Sequence, residues 1–334
     1  MTLIAPIRPW RRLEPLWWAA TALRKELLDF RFDYPVEAVP AAGPRESLHY
    51  YLYSDHLFFD AMEPDHDGTP VQRSRTFQTY NAAYIAWYGL MSLARWLRGR
   101  DSAGRKTFLL QVEWLEAHAV ERPDGSVVWP FTVDWQEGAC RLKAPWISAM
   151  QQGLAISSLV RAYRITGEQH LLDQCTRATK VFEQNIEDGG VRTVEGGLVM
   201  YEEYPGVPLP RVLDGCLFSL LGLYDLWAQI DDPRVFRLFS DGIQGLRAVL
   251  PYWDYNGKWS WYGSHRYLSP PHYNQLNCAL LTSLAWLSHD PTLKRYAEAW
   301  TPARLSALGR AEVLLVFLVT KNWSRLRHLL RRRL

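Results

Sequence analysis

The densest polar constellation in the sequence is Tyr201-Glu202-Glu203-Tyr204-Pro205, which closes a strand-like run and precedes a helical pattern opening near Val212. Strand alternation sends Glu202 and Tyr204 to one face and Tyr201 and Glu203 to the other, unless the bend imposed before Pro205 breaks that order. A carboxylate beside a phenol can hold a substrate hydroxyl or orient the tyrosine for proton transfer. Read without chemistry, the same run is a solvated acidic turn. A second cluster, Trp259-Ser260-Trp261-Tyr262-Gly263-Ser264-His265-Arg266-Tyr267, continues into His272-Tyr273-Asn274-Gln275. Tyrosines, a histidine and an arginine in one loop can supply an acid/base group and a clamp for a carboxylate.

The aromatic supply points the same way. Sixteen Trp and seventeen Tyr are present, and Trp129, Trp135, Trp146, Trp259 and Trp261 fall in turn-rich segments. Aromatic faces lining a cleft suit sugar rings, whose axial C–H groups pack on them while hydroxyls reach polar neighbours. Trp17, Trp87, Trp96, Trp227 and Trp286 sit in helical patterns and read as core. Other chemistries find little support. Asp65-His66-Asp67-Gly68 reads as a turn before it reads as a cation site, and no HExxH, P-loop, GxGxxG or GxSxG string occurs. Neither metal nor cofactor is expected. Cys140, Cys175, Cys216 and Cys278 are too far apart for a CxxC pair and are expected as reduced, buried thiols.

The elements that must position these residues repeat. Four segments pair a long helical pattern, a short polar break and a second helical pattern, with breaks near Arg100, Gly167, Asp232 and Asp290 spaced by 67, 65 and 58 residues. The first helix of each pair is apolar on nearly every face, as in Ala155, Ile156, Leu159 and Val160, whereas the second is amphipathic, with charges such as Arg177, Lys180 and Glu183. An inner ring of buried helices within an outer half-exposed ring produces this contrast. The expected fold is therefore an all-α (α/α) toroid of helical hairpins, complete or partial. Strand signals at 126–131, 197–201 and 258–262 place short β-hairpins at one rim, where functional residues gather. Residues 1–80 are expected as an N-terminal arm with a helix and a β-hairpin, 81–308 as the toroid, and 309–334 as a basic amphipathic tail.

The formal charge of +3 conceals an asymmetry. Residues 1–31 hold six Lys/Arg against three acids and residues 303–334 hold eight against Glu312 alone, leaving an acidic body. That distribution argues against nucleic acid as a partner and allows the basic termini to touch an anionic membrane. Uncharged apolar runs such as Val313 to Thr320 are too short to span a bilayer. The start, MTLIAPIRPWRR, carries its arginines after its apolar stretch and is interrupted by Pro6 and Pro9. It does not read as a secretory signal, so a cytoplasmic, membrane-peripheral chain is expected. An oligomer is compatible with this sequence.

Several uncommon strings are similar to the C-terminal domain of D-glucuronyl C5-epimerases. They are Leu142-Lys143-Ala144-Pro145-Trp146-Ile147-Ser148-Ala149-Met150-Gln151-Gln152-Gly153 with its continuation through Tyr163, and the Tyr201–Pro205 run followed by Leu213-Asp214-Gly215 and Ser219–Asp225. Upstream, Ile85-Ala86-Trp87-Tyr88-Gly89-Leu90 resembles the family's IAQYGL segment, so the likeness covers roughly residues 78–300 in order. The family inverts the carboxylate-bearing carbon of glucuronate within a polysaccharide to give iduronate. The resemblance implies a toroid, an acidic glycosaminoglycan-like substrate and tyrosines as acid/base groups. Tyr204 matches the tyrosine of the EEYP segment, Tyr262 the one after the WS strand, and Tyr267 is nearest to a third before the HxNQL segment, which holds His272 and Asn274. Glu203, Trp146, Gln152 and Asp214 lie in the matched strings and are expected to bind substrate, while Lys143, His265 and Arg266 are the expected cations.

This chain departs from the family in three places. Asp214 stands where the family has asparagine, adding negative charge near an anionic substrate. The loop between Tyr262 and Asn274 is shorter, with YGSHR where the family has YDLRH. The upstream stretch is too short for the β-barrel domain of animal members, so the groove is expected to be built differently. Two other functions fit the same residues: a polysaccharide lyase on the same toroid, and a non-catalytic glycan-binding protein of a polysaccharide-assembly complex.

Overall fold

The computed structural model describes residues 21, 23–24, 26–40, 46–54, 63–73 and 77–331. Its helices are α1 (Ala82–Leu97), α2 (Gly104–Ala117), α3 (Ala149–Thr166), α4 (Gln169–Ala178), α5 (Leu213–Ile230), α6 (Pro233–Val249), α7 (Pro271–Ser288), α8 (Pro291–Ala299) and α9 (Ala307–Arg331). The expected breaks are where local chemistry ends one helix and starts the next. Gly167 closes α3 at φ +78°, a left-handed conformation that costs glycine nothing. Asp231 closes α5 at φ +59°, after which Asp232 accepts the N–H of Arg234 and Pro233 occupies the first helical position of α6. The same arrangement recurs at His289, Asp290 and Pro291, with Asp290 accepting N–H groups from Thr292 and Leu293.

Helices α1, α3, α5 and α7 pack side by side in that order, each backed by its hairpin partner α2, α4, α6 or α8. This is an (α/α) toroid of four hairpins. Fifteen of eighteen residues of α5 are buried but only seven of seventeen in α6, so the inner and outer assignment read from apolar crowding holds. All four cysteines are free and buried. Because each hairpin returns to its starting end, the inner helices run parallel and their N-termini share one rim. Short antiparallel pairs precede them: Trp135–Glu137 with Cys140–Leu142, Arg192–Glu195 with Leu198–Tyr201, and Asp254–Tyr255 with Trp259–Ser260. The pairing expected over 126–131 is confined to Val127–Val128, because Phe131 turns away to bridge Trp146.

The opposite end is plugged by the N-terminal arm. Leu52–Tyr53 pairs with Glu37–Ala38 instead of with a strand from its own neighbourhood, and residues 55–62 of the expected β-hairpin lie outside the described residues. The Tyr51 hydroxyl donates to Asp225 Oδ1 (2.7 Å), and Arg161 donates to Asp225 Oδ2 (2.6 Å) and to the His49 carbonyl (3.0 Å). Arg161 and Asp225 are 1% and 0% exposed, so this ion pair is fully desolvated. Removing one member strands the other charge in the core. Asp225→Asn is expected to lower unfolding free energy by about 3–5 kcal/mol in denaturant titration, whereas a loss under about 1 kcal/mol would refute this account.

Residues 309–331 of the expected tail lie in α9, whose Val313 and Phe317 join Trp259 and Leu268 in a small core with Phe30 and Phe32 against it. Arg325 pairs with Glu26 at 2.6 Å, tying the two ends of the chain together. Leu308, Leu315, Val319 and Trp323 lie exposed on the outward face. No helix among the described residues is long and apolar enough to cross a membrane. Asp65 accepts the N–H groups of Asp67 and Thr69, which makes the Asp-His-Asp-Gly string a turn.

Candidate active site

The rim hairpin ending at Tyr201 aims the acidic run. Glu202 is held away from the cleft, because its carboxylate accepts the Thr193 hydroxyl (2.8 Å) and Arg211 (2.5 Å) while its carbonyl accepts the Ala149 N–H at the start of α3. Strand geometry ends at Tyr201, so Glu203 and Tyr204 enter the same cleft; the alternation rule, which separates them, fails at this bend. The cleft is also lined by Tyr84, Trp135 and Trp146. Tyr204 lies parallel to Trp135 (6.4 Å between rings) and tilted over Trp146 (5.9 Å), which itself stacks on Phe131 at 4.0 Å. Gly215 makes room for the acid, since a Cβ there would fall 2.3 Å from the Glu203 Cβ.

A second group comes from the loop before α7. Tyr262 stacks on Tyr267 at 5.0 Å and meets the edge of Tyr273 at 5.5 Å. Tyr84 and Tyr273 each occupy the first turn of an inner helix. Burial raises all five phenols, Tyr84 to about 12 and the others well above their ordinary range, with further upward pressure from one another and from nearby carboxyls. The phenols therefore rest protonated.

The carboxyls are shifted too. Burial raises Glu203 well above the usual range, with Asp214 adding to it, and burial pushes Asp214 up to about 7 against the N–H groups at the start of α5. Burial thus favours the neutral form of both acids, and a charge on Asp214 further disfavours one on Glu203. Glu137 adds negative charge from the neighbouring hairpin, and its Oε1 lies 3.0 Å from His265 Nε2, off the line of a hydrogen bond. Gly138 permits that approach, for a Cβ on it would lie 2.6 Å from His265 Nε2.

The fold thus brings together Tyr204, Tyr262, Tyr267, Glu203, Asp214, Trp146 and His265 among the residues expected from sequence. The other five are placed differently. Lys143 has a side chain 85% exposed and is engaged with Asp134 at 2.5 Å. Arg266 takes φ +55°, which turns it outward over Tyr252 and Trp261 (5.2 Å each), where it donates to the Tyr252 carbonyl. Gln152 donates to the carbonyls of Val127 and Ala178 and accepts the Trp129 N–H, a scaffold function. Asn274 accepts from the Ser260 N–H and hydroxyl and donates to the Trp300 carbonyl, also scaffold. His272 packs between Tyr34 (5.5 Å) and Tyr273 (4.5 Å), and burial followed by Lys321 pushes it down to about 4, so it is neutral.

Sequence reasoning missed Glu137, Tyr84 and Lys321, and quoted Tyr273 in the second cluster without giving it a role of its own. Repeat phase would have found the two tyrosines, because the first turn of every inner helix faces this rim. Among the described residues, Trp135 Nε1, Glu203 Oε2 and both ring nitrogens of His265 are buried without a hydrogen-bond partner. Orphaned polar groups cost about 1–3 kcal/mol each, and a substrate rich in hydroxyl and carboxylate groups offsets that cost.

The family model described as the D-glucuronyl C5-epimerase C-terminus matches residues 123–302. The chain belongs to the D-glucuronyl C5-epimerase family. It is 30% identical over 236 residues to the D-glucuronyl C5-epimerase of Caenorhabditis elegans, covering 65% of this chain and 38% of that protein. It is 23% identical over 178 residues to an uncharacterized protein of Methanocaldococcus jannaschii, covering 52% and 57%. The chain thus spans roughly two-fifths to three-fifths of the curated relatives it matches. Among solved structures, a cellobiose 2-epimerase from Bacillus thermoamylovorans aligns at TM-score 0.45 and 10% identity, covering 85% of this chain and 71% of that one. The epimerase-family match contains Glu137, Glu203, Tyr204, Asp214, Tyr262, Tyr267 and Tyr273 but neither Tyr84 nor Lys321.

Proposed function

We propose that the chain is a carbohydrate epimerase that inverts C5 of uronate residues in an acidic polysaccharide, converting D-glucuronate to L-iduronate. The observation that carries this reading is the meeting of five buried or half-buried phenols, two carboxyls held above their ordinary range and four unpartnered polar atoms around one aromatic cleft. The inner helices add a general bias, since their N-terminal ends face the same rim and favour an anionic group.

The chemistry needs this inventory. A proton beside a carboxylate is a very weak acid, so the site must stabilise the enediolate that forms when the proton leaves. Inversion requires removal from one face and return from the other. Tyr204 and Tyr262 stand on different rim loops and are the proposed opposed pair. With Glu203 in its ionised form, the hydroxyl proton of Tyr204 passes to that carboxylate, whose raised proton affinity suits it as an acceptor, and the resulting phenolate oxygen takes the C5 proton. The electron pair released from the C–H bond becomes the enediolate, and the Tyr262 hydroxyl then protonates C5 from the opposite face. Protons exchange back through the clustered phenols and carboxyls, so solvent hydrogen enters the product.

Incubation with heparosan-type and chondroitin-type chains in deuterated water, followed by NMR at the uronate carbon, tests the proposal. Deuterium at C5 with iduronate signals is expected. Ultraviolet absorbance from an unsaturated sugar would instead identify a lyase, and a folded protein that binds glycan without exchange would be a binding module.

A further inference from the structure

The cations expected from sequence do not supply the charge that a uronate requires. Lys143 and Arg266 are turned to solvent and engaged elsewhere, and His265 faces Glu137. Glu137, Glu203 and Asp214 meanwhile leave the cleft rich in acid. A different cation reaches it from outside the family-matched region. Lys321, just past the middle of α9, places its Nζ 3.5 Å from the centre of the Tyr267 ring and 5.9 Å from that of Tyr262. It is half-buried, and among the described residues no carboxylate lies within ion-pair distance of it. Among the described residues, most other cations that are comparably enclosed have an acid in contact, as Arg161 has Asp225 and Arg211 has Glu202.

We infer that Lys321 is the residue that binds the substrate carboxylate, so that α9 completes the active site of the proposed uronate epimerase. The inference rests on that reading for its substrate class, but its geometry is independent of it. An ammonium held against two tyrosine faces gains from their negative π-clouds without being neutralised, which keeps it available for an incoming anion. Placed there, it draws the uronate carboxylate toward Tyr262 and Tyr267 and offsets charge developing on the enediolate. Burial, with Arg325 adding to it, pushes the lysine down to about 8 against the opposing pull of Glu26 and Glu137, neither of which is within ion-pair distance of it.

The test compares the full chain with Lys321→Gln and Lys321→Arg, each checked by thermal melting, for binding to a heparosan oligosaccharide and to the same oligosaccharide with its carboxyls reduced to alcohols. The parent chain should prefer the uronate form. Lys321→Gln should lose about 10- to 100-fold in affinity for that form, the range for a charge-assisted contact, and bind the reduced form as the parent does. Lys321→Arg should keep most of the preference. A folded Lys321→Gln that still discriminates like the parent overturns the inference, as does a parent that does not discriminate. Deuterium exchange by the parent is scored separately: its absence removes the epimerase reading while the affinity comparison still decides the role of Lys321.

Discussion

Tyr204→Phe should reduce deuterium incorporation at the uronate C5 by about 10²- to 10⁴-fold, the range for loss of a positioned acid/base group. The substitution deletes one hydroxyl and keeps the ring that lies parallel to Trp135 and over Trp146, so its packing survives. Melting temperature and affinity for the oligosaccharide should therefore change little while exchange collapses. Tyr296→Phe, on the outer helix α8, serves as the control with unchanged exchange. Retention of more than about a tenth of parental exchange by Tyr204→Phe would remove this tyrosine from the proton path, given the size expected of such a group.

Asp214→Asn should act in the opposite direction. The carboxyl is buried beside Glu203 and holds its proton up to about pH 7, so below that pH it presents a neutral side chain, as the family's asparagine does. Above it, ionisation adds a charge that repels both Glu203 and a bound uronate. Exchange by the parent should fall as pH rises past 7, and Asp214→Asn should keep it high toward pH 8. Stability follows the same sign. The native state binds the Asp214 proton more tightly than the unfolded chain, whose aspartate titrates near 3.8, so the native state is favoured most below that value and loses ground as pH rises toward 7. Asp214→Asn removes this slope, and its advantage over the parent in denaturant titration should grow between pH 4 and pH 8, by roughly 2–4 kcal/mol at 1.36 kcal/mol per unit. Parallel stability profiles for the two proteins would show that Asp214 is ionised throughout.

Together these results would separate an active epimerase carrying a pH-limited acid from a protein in which that acid has silenced the site. The shortened loop after Tyr262 bears on the same question. It delivers Tyr262, His265 and Tyr267 to the cleft but turns Arg266 away, so the arginine clamp expected of this loop is absent and its electrostatic task falls to α9.

The sequence by itself determined the repeat, because the signals are local. Gly167, Asp232-Pro233 and Asp290-Pro291 stop and start helices through backbone conformation and capping within a few residues, and apolar crowding along each helix tells inner from outer. It also placed Tyr204, Glu203, Tyr262 and Tyr267, since these lie in compact strings whose residue types suit proton transfer. Only the tertiary structure decided which neighbours share the cleft. Glu203 joins Tyr204 because Glu202 is captured by Thr193 and Arg211, an outcome of side-chain contacts that alternation does not encode. Tyr84, Glu137, Tyr273 and Lys321 come from four elements separated by long stretches of chain, brought together by packing of the inner ring and by α9 docking through Val313 and Phe317. Charge in a sequence has no direction: Lys143, Arg266 and Lys321 look alike there, and only the backbone that carries each one determines that two face water and the third meets the tyrosines.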